Sequence, residues 1–327
     1  MAATRALVTG AAGFVGQWLC RALLEHGCDV TGATLEGASA RPVLTAEEHA
    51  AVQWVQSDVR RTADIRAALD ASRPDVVYHL AGVSWVPGAA NDPGLTCEAN
   101  VVAAARLVGE VRTRRRAGVL DPALVVVGSA EQYGRHDPSE LPLGEGAEQR
   151  PLNVYAASKA AQEVVALEAA RSDGVRVLAT RSFNHSGAGQ ATHFLMPALV
   201  RRALALRGAP RGPGRPTLAI GNRDTVRDFL HVADVTRAYI LLAERGAAGE
   251  AYNVASGEGR SVRELAERVL GTLGMPEGAI ETDPALARPV EVPALTGDAT
   301  KLRTATGWAP ARSIDDIIAD LIHAATH

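Results

Sequence analysis

Ala6-Leu7-Val8-Thr9-Gly10-Ala11-Ala12-Gly13-Phe14-Val15-Gly16 opens the chain with a change of rhythm. The first residues are apolar and stop at a glycine, as a buried strand does at its turn. From Phe14 onward Val15, Leu19, Ala22 and Leu23 recur at helical spacing until Gly27 ends the pattern. The glycines between permit a tight turn. They also let a pyrophosphate approach backbone N–H groups at the positive end of a helix. A glycine pattern by itself says little, but between a strand and an amphipathic helix it reads as a dinucleotide-binding turn. Gly10, Gly13, Phe14, Val15 and Gly16 are therefore the first candidate cofactor residues.

The same alternation continues outward. Residues 30–35, 52–55, 76–80, 123–127 and 175–180 read as further strands. Helical patterns cover 62–71, 100–116 and about 154–171. Nearly continuous apolar strands separated by helices predict an α/β fold, a doubly wound parallel sheet of the Rossmann type covered on both faces. After about residue 180 glycines and prolines break the rhythm, and 208–216 reads as a mobile surface loop. The expected division is a dinucleotide-binding domain at 1–180 and a smaller C-terminal α/β lobe at 181–327, with some segments returning to the sheet.

Length and composition agree. The chain has 327 residues, which at roughly 150 per domain suggests two domains. Its net charge is −3, so nothing asks for nucleic acid or an anionic membrane. Cys20, Cys28 and Cys97 are too scattered for a zinc site or a disulfide framework and suit a reducing cytoplasm. No apolar run is long enough to span a membrane, and no basic-then-apolar leader precedes the first strand. No metal is expected.

Chemistry is carried by strand ends. After the second strand, where a classical NAD site has an acidic residue, stand Thr34, Leu35 and Glu36. A neutral Thr34 tolerates a 2′-phosphate and tilts the expectation from NADH toward NADPH, while Glu36 remains within reach of a ribose. Asp58 and Val59 follow the third strand, placed to meet adenine or to serve as ordinary strand-end residues. Ser129 and Glu131 follow the fifth strand, where ligands sit in such sheets. Tyr155 and Lys159 open a predicted helix at i, i+4, so phenol and ammonium share a face. A nearby cation lowers a phenol pKa from about 10 and makes Tyr155 a candidate general acid or base.

Taken together and in this order, these residues resemble the extended short-chain dehydrogenase/reductases of the NAD-dependent epimerase/dehydratase type, over nearly the whole chain. Gly10, Gly13 and Gly16 match the cofactor turn of that family, Leu80-Ala81-Gly82 its segment beside the cofactor, and Asn100 its helix asparagine, which the resemblance implies is a cofactor contact. Ser129, Tyr155 and Lys159 match its catalytic triad. The resemblance implies that Tyr155 moves a proton to or from a sugar oxygen. Lys159 would hold the nicotinamide ribose and Ser129 orient the reacting oxygen.

The second half narrows the resemblance. Arg181-Ser182-Phe183-Asn184-His185-Ser186-Gly187-Ala188-Gly189-Gln190, the block Arg227 to Val235, and Arg288-Pro289-Val290-Glu291-Val292-Pro293 are similar to the GDP-6-deoxy-4-keto-mannose reductases of the family. Ser182 and Ala188 stand where those enzymes have proline, which loosens a loop lining the sugar site. Arg227 and Arg288 offer planar forks suited to a diphosphate, and Asn184 can donate and accept toward phosphate or sugar. The competing reading for each arginine is a surface ion pair. His185 and His231 read as loop-orienting.

The expected activity is NAD(P)H-dependent reduction of the C4 ketone of a nucleotide-activated 4-keto-6-deoxyhexose, with GDP or dTDP as the nucleotide. Glu131 keeps a GDP-mannose 4,6-dehydratase open, and the triad keeps a nucleotide-sugar 4-epimerase open. An NAD(P)-sensing binding protein is the non-enzymatic alternative. The resemblance also implies a homodimer paired through helices 100–116 and 154–171.

Overall fold

Strand and helix alternate without interruption through the first half, as the apolar pattern requires. The computed structural model describes residues 3–36, 43–207, 217–275, 280–287 and 292–326. In chain order it contains β1 (Arg5–Thr9), α1 (Phe14–Glu25), β2 (Asp29–Thr34), α2 (Ala46–Ala51), β3 (Gln53–Gln56), α3 (Thr62–Ser72) and β4 (Val76–His79). There follow α4 (Val86–Asn91), α5 (Pro93–Cys97), a π-helical turn (Glu98–Val102), α6 (Ala103–Arg116), β5 (Ala123–Ser129), α7 (Val154–Asp173) and β6 (Val177–Ser182). The second half holds β7 (Asn184–Ser186), α8 (Leu195–Arg207), β8 (Leu218–Ile220), β9 (Val226–His231), α9 (Val232–Arg245), β10 (Glu250–Val254), β11 (Gly259–Ser261) and α10 (Val262–Thr272). It closes with β12 (Ile280–Thr282), β13 (Ala294–Leu295), α11 (Thr300–Thr306) and α12 (Ile314–Thr326). The segment 208–216, read from sequence as a surface loop, lies outside the described residues.

Seven parallel strands form the main sheet in the order β3-β2-β1-β4-β5-β6-β10. Side chains alternate across it. Ala6 and Val8 of β1 join the apolar core with Leu19 and Leu23 of α1 and Val235 of α9. Leu7 points the other way, into the core shared with Leu69 of α3, Leu107 of α6 and Ala166 of α7. The strand order reverses between β1 and β4, and in such sheets a crevice opens at that point beyond the strand C-termini.

Two features depart from the sequence expectation. The helix expected to begin at residue 100 begins earlier, with the π-helical turn at Glu98–Val102. The seventh strand, β10, comes from beyond the break at residue 180 and pairs with β6, while α9 covers the face that α1 begins to cover. The remaining second-half elements have their own core, in which Met196, Leu199, Leu265, Val269 and Ile317 pack together.

Candidate active site

The glycine turn is shaped by contacts that exclude side chains. Gly10 has φ +72°, and a Cβ there would lie 2.9 Å from the Ala81 nitrogen. At Gly16 a Cβ would lie 2.3 Å from the Gly10 carbonyl oxygen. These two positions let the chain reverse tightly and set α1 against the strand end. Gly13 is the N-cap of α1; no side chain caps it, and no acidic residue stands in the first turn. That leaves an uncapped, positively polarised helix end on the wall of a cavity of about 720 Å³, lined there by Gly10, Gly13, Phe14, Val15 and Gly16.

Away from the turn the same cavity runs past Thr34, Leu35, Glu36, Asp58, Val59 and Arg60. Thr34 donates its hydroxyl to the Glu36 carbonyl at 2.6 Å, so that hydroxyl is already spent. Asp58 is gripped by both arms of the Arg60 guanidinium, at 2.7 and 2.9 Å, which holds its carboxyl below the usual range. Leu80, Ala81 and Gly82 line the floor.

Asn100 sits elsewhere than expected. It is fully buried and does not line the cavity. Its Oδ1 accepts from the Val83 N–H at 2.8 Å, and its Nδ2 donates to the Ser158 hydroxyl at 2.8 Å and to the Val83 carbonyl at 3.1 Å. The structure therefore corrects the cofactor-contact expectation. The amide is consumed in fixing the loop after β4 against α7.

At the other end, Gly128, Ser129 and Glu131 meet Tyr155 and Lys159 on the cavity wall. Ser129 is the last residue of β5, and its Oγ accepts from the Glu131 N–H at 3.2 Å. Asn153 caps α7 by accepting from the Ala156 N–H, so Tyr155 falls in the first turn and Lys159 one turn later. Burial pushes the Tyr155 phenol up to about 12; a hydrogen bond with Ser129 opposes the rise and the Glu131 charge adds to it. Lys159 donates to the Val127 carbonyl and to Gln162 Oε1, both at 2.9 Å, and burial brings it down to about 8. The lowering expected from the cation is not seen here: desolvation comes first, the Glu131 charge adds to it, and only the Ser129 hydrogen bond opposes.

On the second-lobe side Asn184 and His185 line the cavity. His185 bonds through Nδ1 to the Phe183 carbonyl at 2.9 Å and stacks against Phe14 with ring centroids 6.3 Å apart. His231 caps α9, its Nδ1 accepting from the Ala233 N–H at 3.1 Å. Arg227 is placed differently from the sequence expectation. It is buried, donates to the carbonyls of Val226 and Val292 at 2.8 Å each, and does not line the cavity. Its Nη1 is directed to both backbone oxygens, one of them on a segment far along the chain that sequence spacing cannot reveal. Arg288 lies outside the described residues.

Several cavity residues were not singled out from the sequence as contact residues, among them Trp85, Gln190 and Phe194. They come from loops, where no periodicity marks an inward side chain. Among the described residues no group of three or more His, Cys, Asp or Glu side chains is arranged to hold a metal ion. No described helix is long and apolar enough to cross a membrane.

Comparison with known proteins finds relatives along nearly the whole chain. The model of the GDP-mannose 4,6 dehydratase family matches residues 7–321. A GDP-6-deoxy-D-mannose reductase of Pseudomonas aeruginosa is 36% identical over 237 residues, covering 72% of this chain and 75% of that protein. The structure of RMD from Pseudomonas aeruginosa complexed with NADPH superposes with a TM-score of 0.79 at 29% identity, covering 98% of each chain. A UDP-glucose 4-epimerase of Thermus thermophilus in complex with NAD gives 0.82 at 28% identity, again over 98% of each chain.

Proposed function

The chain belongs to the GDP-mannose 4,6 dehydratase family, and from that membership we propose that it reduces the C4 ketone of a nucleotide-activated 4-keto-6-deoxyhexose with NADPH or NADH. GDP is the proposed nucleotide, supported by the 36% identity to a reductase of GDP-6-deoxy-D-mannose, with dTDP as the alternative. The observation that carries the reading is the convergence of Ser129, Tyr155 and Lys159 on one cavity that begins at the uncapped end of α1.

The residues fit a dinucleotide. The uncapped α1 terminus suits a pyrophosphate, Thr34, Glu36 and Val59 flank the far end, and Lys159 stands where a ribose hydroxyl can accept from it. When bound, the dinucleotide supplies the hydride. Tyr155, held protonated by burial, donates its proton to the developing alkoxide, and Ser129 shares that oxygen. Lys159, fixed by Val127 and Gln162, contributes positive charge on the same helix face as the phenol. A protonated phenol is the starting state for a reduction, whereas a reaction that begins by oxidising a sugar hydroxyl needs the phenolate. Asn184 is proposed to contact the sugar nucleotide.

Glu131 supports a second reading, GDP-mannose 4,6-dehydratase, because its carboxylate lies on the cavity wall close enough to raise the Tyr155 phenol. A cofactor-oxidation assay decides between them. GDP- and dTDP-4-keto-6-deoxyhexoses are offered with NADPH and with NADH, and oxidation of either cofactor supports the reductase. No oxidation, with NAD(P)-dependent loss of water from GDP-mannose, moves the answer to the dehydratase.

We also propose a homodimer paired through α6 and α7. Exposed Val102 and Val164 beside these helices support it, and sedimentation showing only monomer would remove it. Three free thiols, with Cys97 exposed, support a reducing, cytoplasmic setting.

A further inference from the structure

Helix α7 carries a third group in line with the phenol and the ammonium. Tyr155, Lys159 and Glu163 stand four residues apart and form one stripe along the helix. Glu163 is buried, and the Arg181 guanidinium from β6 reaches it with two parallel hydrogen bonds of 2.9 and 2.6 Å. A buried ion pair roughly breaks even with apolar packing in stability, which leaves room for another role.

That role is visible in what Glu163 touches next. Its Oε2 accepts from Gln132 Nε2 at 3.0 Å, and Gln132 Oε1 accepts from the Ser129 N–H at 2.8 Å. A carboxylate only accepts, so the amide has one workable orientation, NH₂ toward Glu163 and oxygen toward Ser129. Flipping it would set oxygen against carboxylate and NH₂ against N–H. Gly128 leaves room for this arrangement, since a Cβ there would lie 2.5 Å from Gln132 Oε1. The bonds from Arg181 on one side, and from Ser129 through Gln132 on the other, converge on the Glu163 carboxylate and are entirely enclosed.

We propose that Glu163 and Gln132 are positioning residues for the reaction: Glu163, oriented by Arg181, sets the Gln132 amide, which holds the Ser129 turn in register with the helix bearing Tyr155 and Lys159. This deepens the reading of Ser129, Tyr155 and Lys159 as the reacting set and rests on it. Proton transfer between groups at hydrogen-bond distance is sensitive to small displacements, so the effect falls on turnover before it falls on binding.

The test uses the full chain saturated with NADPH or NADH. Gln132→Met keeps the length of the side chain, removes both amide functions and leaves the Arg181–Glu163 pair intact. Expected are a kcat at least tenfold lower, a dinucleotide Kd within threefold of the parent, and faster amide exchange across residues 128–133. Gln149→Met removes a 2.9 Å bond to the same carboxylate and a longer one, 3.3 Å, from Gln132, but leaves the Gln132 bonds to Glu163 and Ser129 in place, and keeps kcat within threefold. If Gln132→Met does not fold, Glu163→Asp, which withdraws the carboxylate by one methylene, is read in the same way. An unchanged kcat overturns the proposal. So does dinucleotide affinity falling in step with kcat, an equal loss in Gln149→Met, or failure of both variants to fold. A parent that turns over no 4-keto sugar removes the reductase reading alone. Exchange across 128–133 then still decides the link, and unchanged exchange overturns it.

Discussion

Tyr155 and Lys159 carry opposite displacements from one cause. Burial raises the phenol to about 12 and lowers the ammonium to about 8. Turnover is therefore expected to fall as pH rises through about 8, where Lys159 loses its charge while Tyr155 still holds its proton; kcat measured from pH 6 to 10 at saturating dinucleotide checks this. Stability moves the other way. Between about 8 and the ordinary lysine value of 10.5 the unfolded chain binds a proton that the folded chain does not. Folding stability attributable to Lys159 thus rises with pH across that window. The melting-temperature difference between the parent and Lys159→Met should climb over the same range. Tyr155→Phe, which deletes the only proton of that ring able to transfer, is expected to lower kcat about a thousandfold while dinucleotide titration stays within threefold. These residues were legible in the sequence because a strand end and an i, i+4 pair are local patterns. Arg227 was legible as a cation but not as to its partner, because the Val292 carbonyl that receives it is far along the chain.

Elements repeat the lesson at larger size. Strands β1 to β6 and helices α1, α3, α6 and α7 followed from apolar periodicity, whereas the short helices α2, α4 and α5 did not. Strand β10 did not, because nothing local in Glu250–Val254 says it will pair with β6. The π-helical turn was equally hidden: one extra residue per turn leaves the composition unchanged, yet it coincides with the fully buried Asn100 side chain that pins Val83 and Ser158. The glycine turn is the element whose sequence and structure agree most closely, and its tolerance is testable. In Gly16→Ala the new Cβ would meet the Gly10 carbonyl, Ala11 Cα and the Ala11 carbonyl at 2.3 to 2.8 Å, all backbone atoms with no room to yield. Overpacking of this kind costs about 1–3 kcal/mol, so denaturant unfolding should show a loss of that size. Dinucleotide affinity should fall at least tenfold, because the displaced helix end is the one proposed to meet the pyrophosphate. Affinity unchanged by the substitution would detach the turn from cofactor binding.

At the scale of the molecule, α1 and the segment that follows β7 must be held in register for the proposed dinucleotide to meet the proposed sugar. Trp18 of α1 donates its indole N–H to the Ala188 carbonyl at 2.9 Å, reaching to the loop that follows β7 and bears the cavity residue Gln190. Asp320 of α12 accepts the Ala188 N–H at 2.8 Å, so both backbone groups of Ala188 are tied. The same carboxylate lies 3.4 Å from His231 Nε2, and because Nδ1 accepts from Ala233 the ring proton faces Asp320. The edge of the His231 ring meets Trp18 with centroids 5.6 Å apart, which closes the clasp. Trp18→Phe keeps an aromatic ring against His231 but loses the bond to the loop. A hydrogen bond of this kind is worth about 1 kcal/mol, or about a fivefold change in an equilibrium constant. The KM for the 4-keto sugar nucleotide should therefore rise about fivefold, while dinucleotide Kd stays within twofold, since the glycine turn is untouched. Steady-state kinetics beside a dinucleotide titration separates the two. A fall in both affinities together would mean that Trp18 supports α1 itself rather than its register with the segment that follows β7.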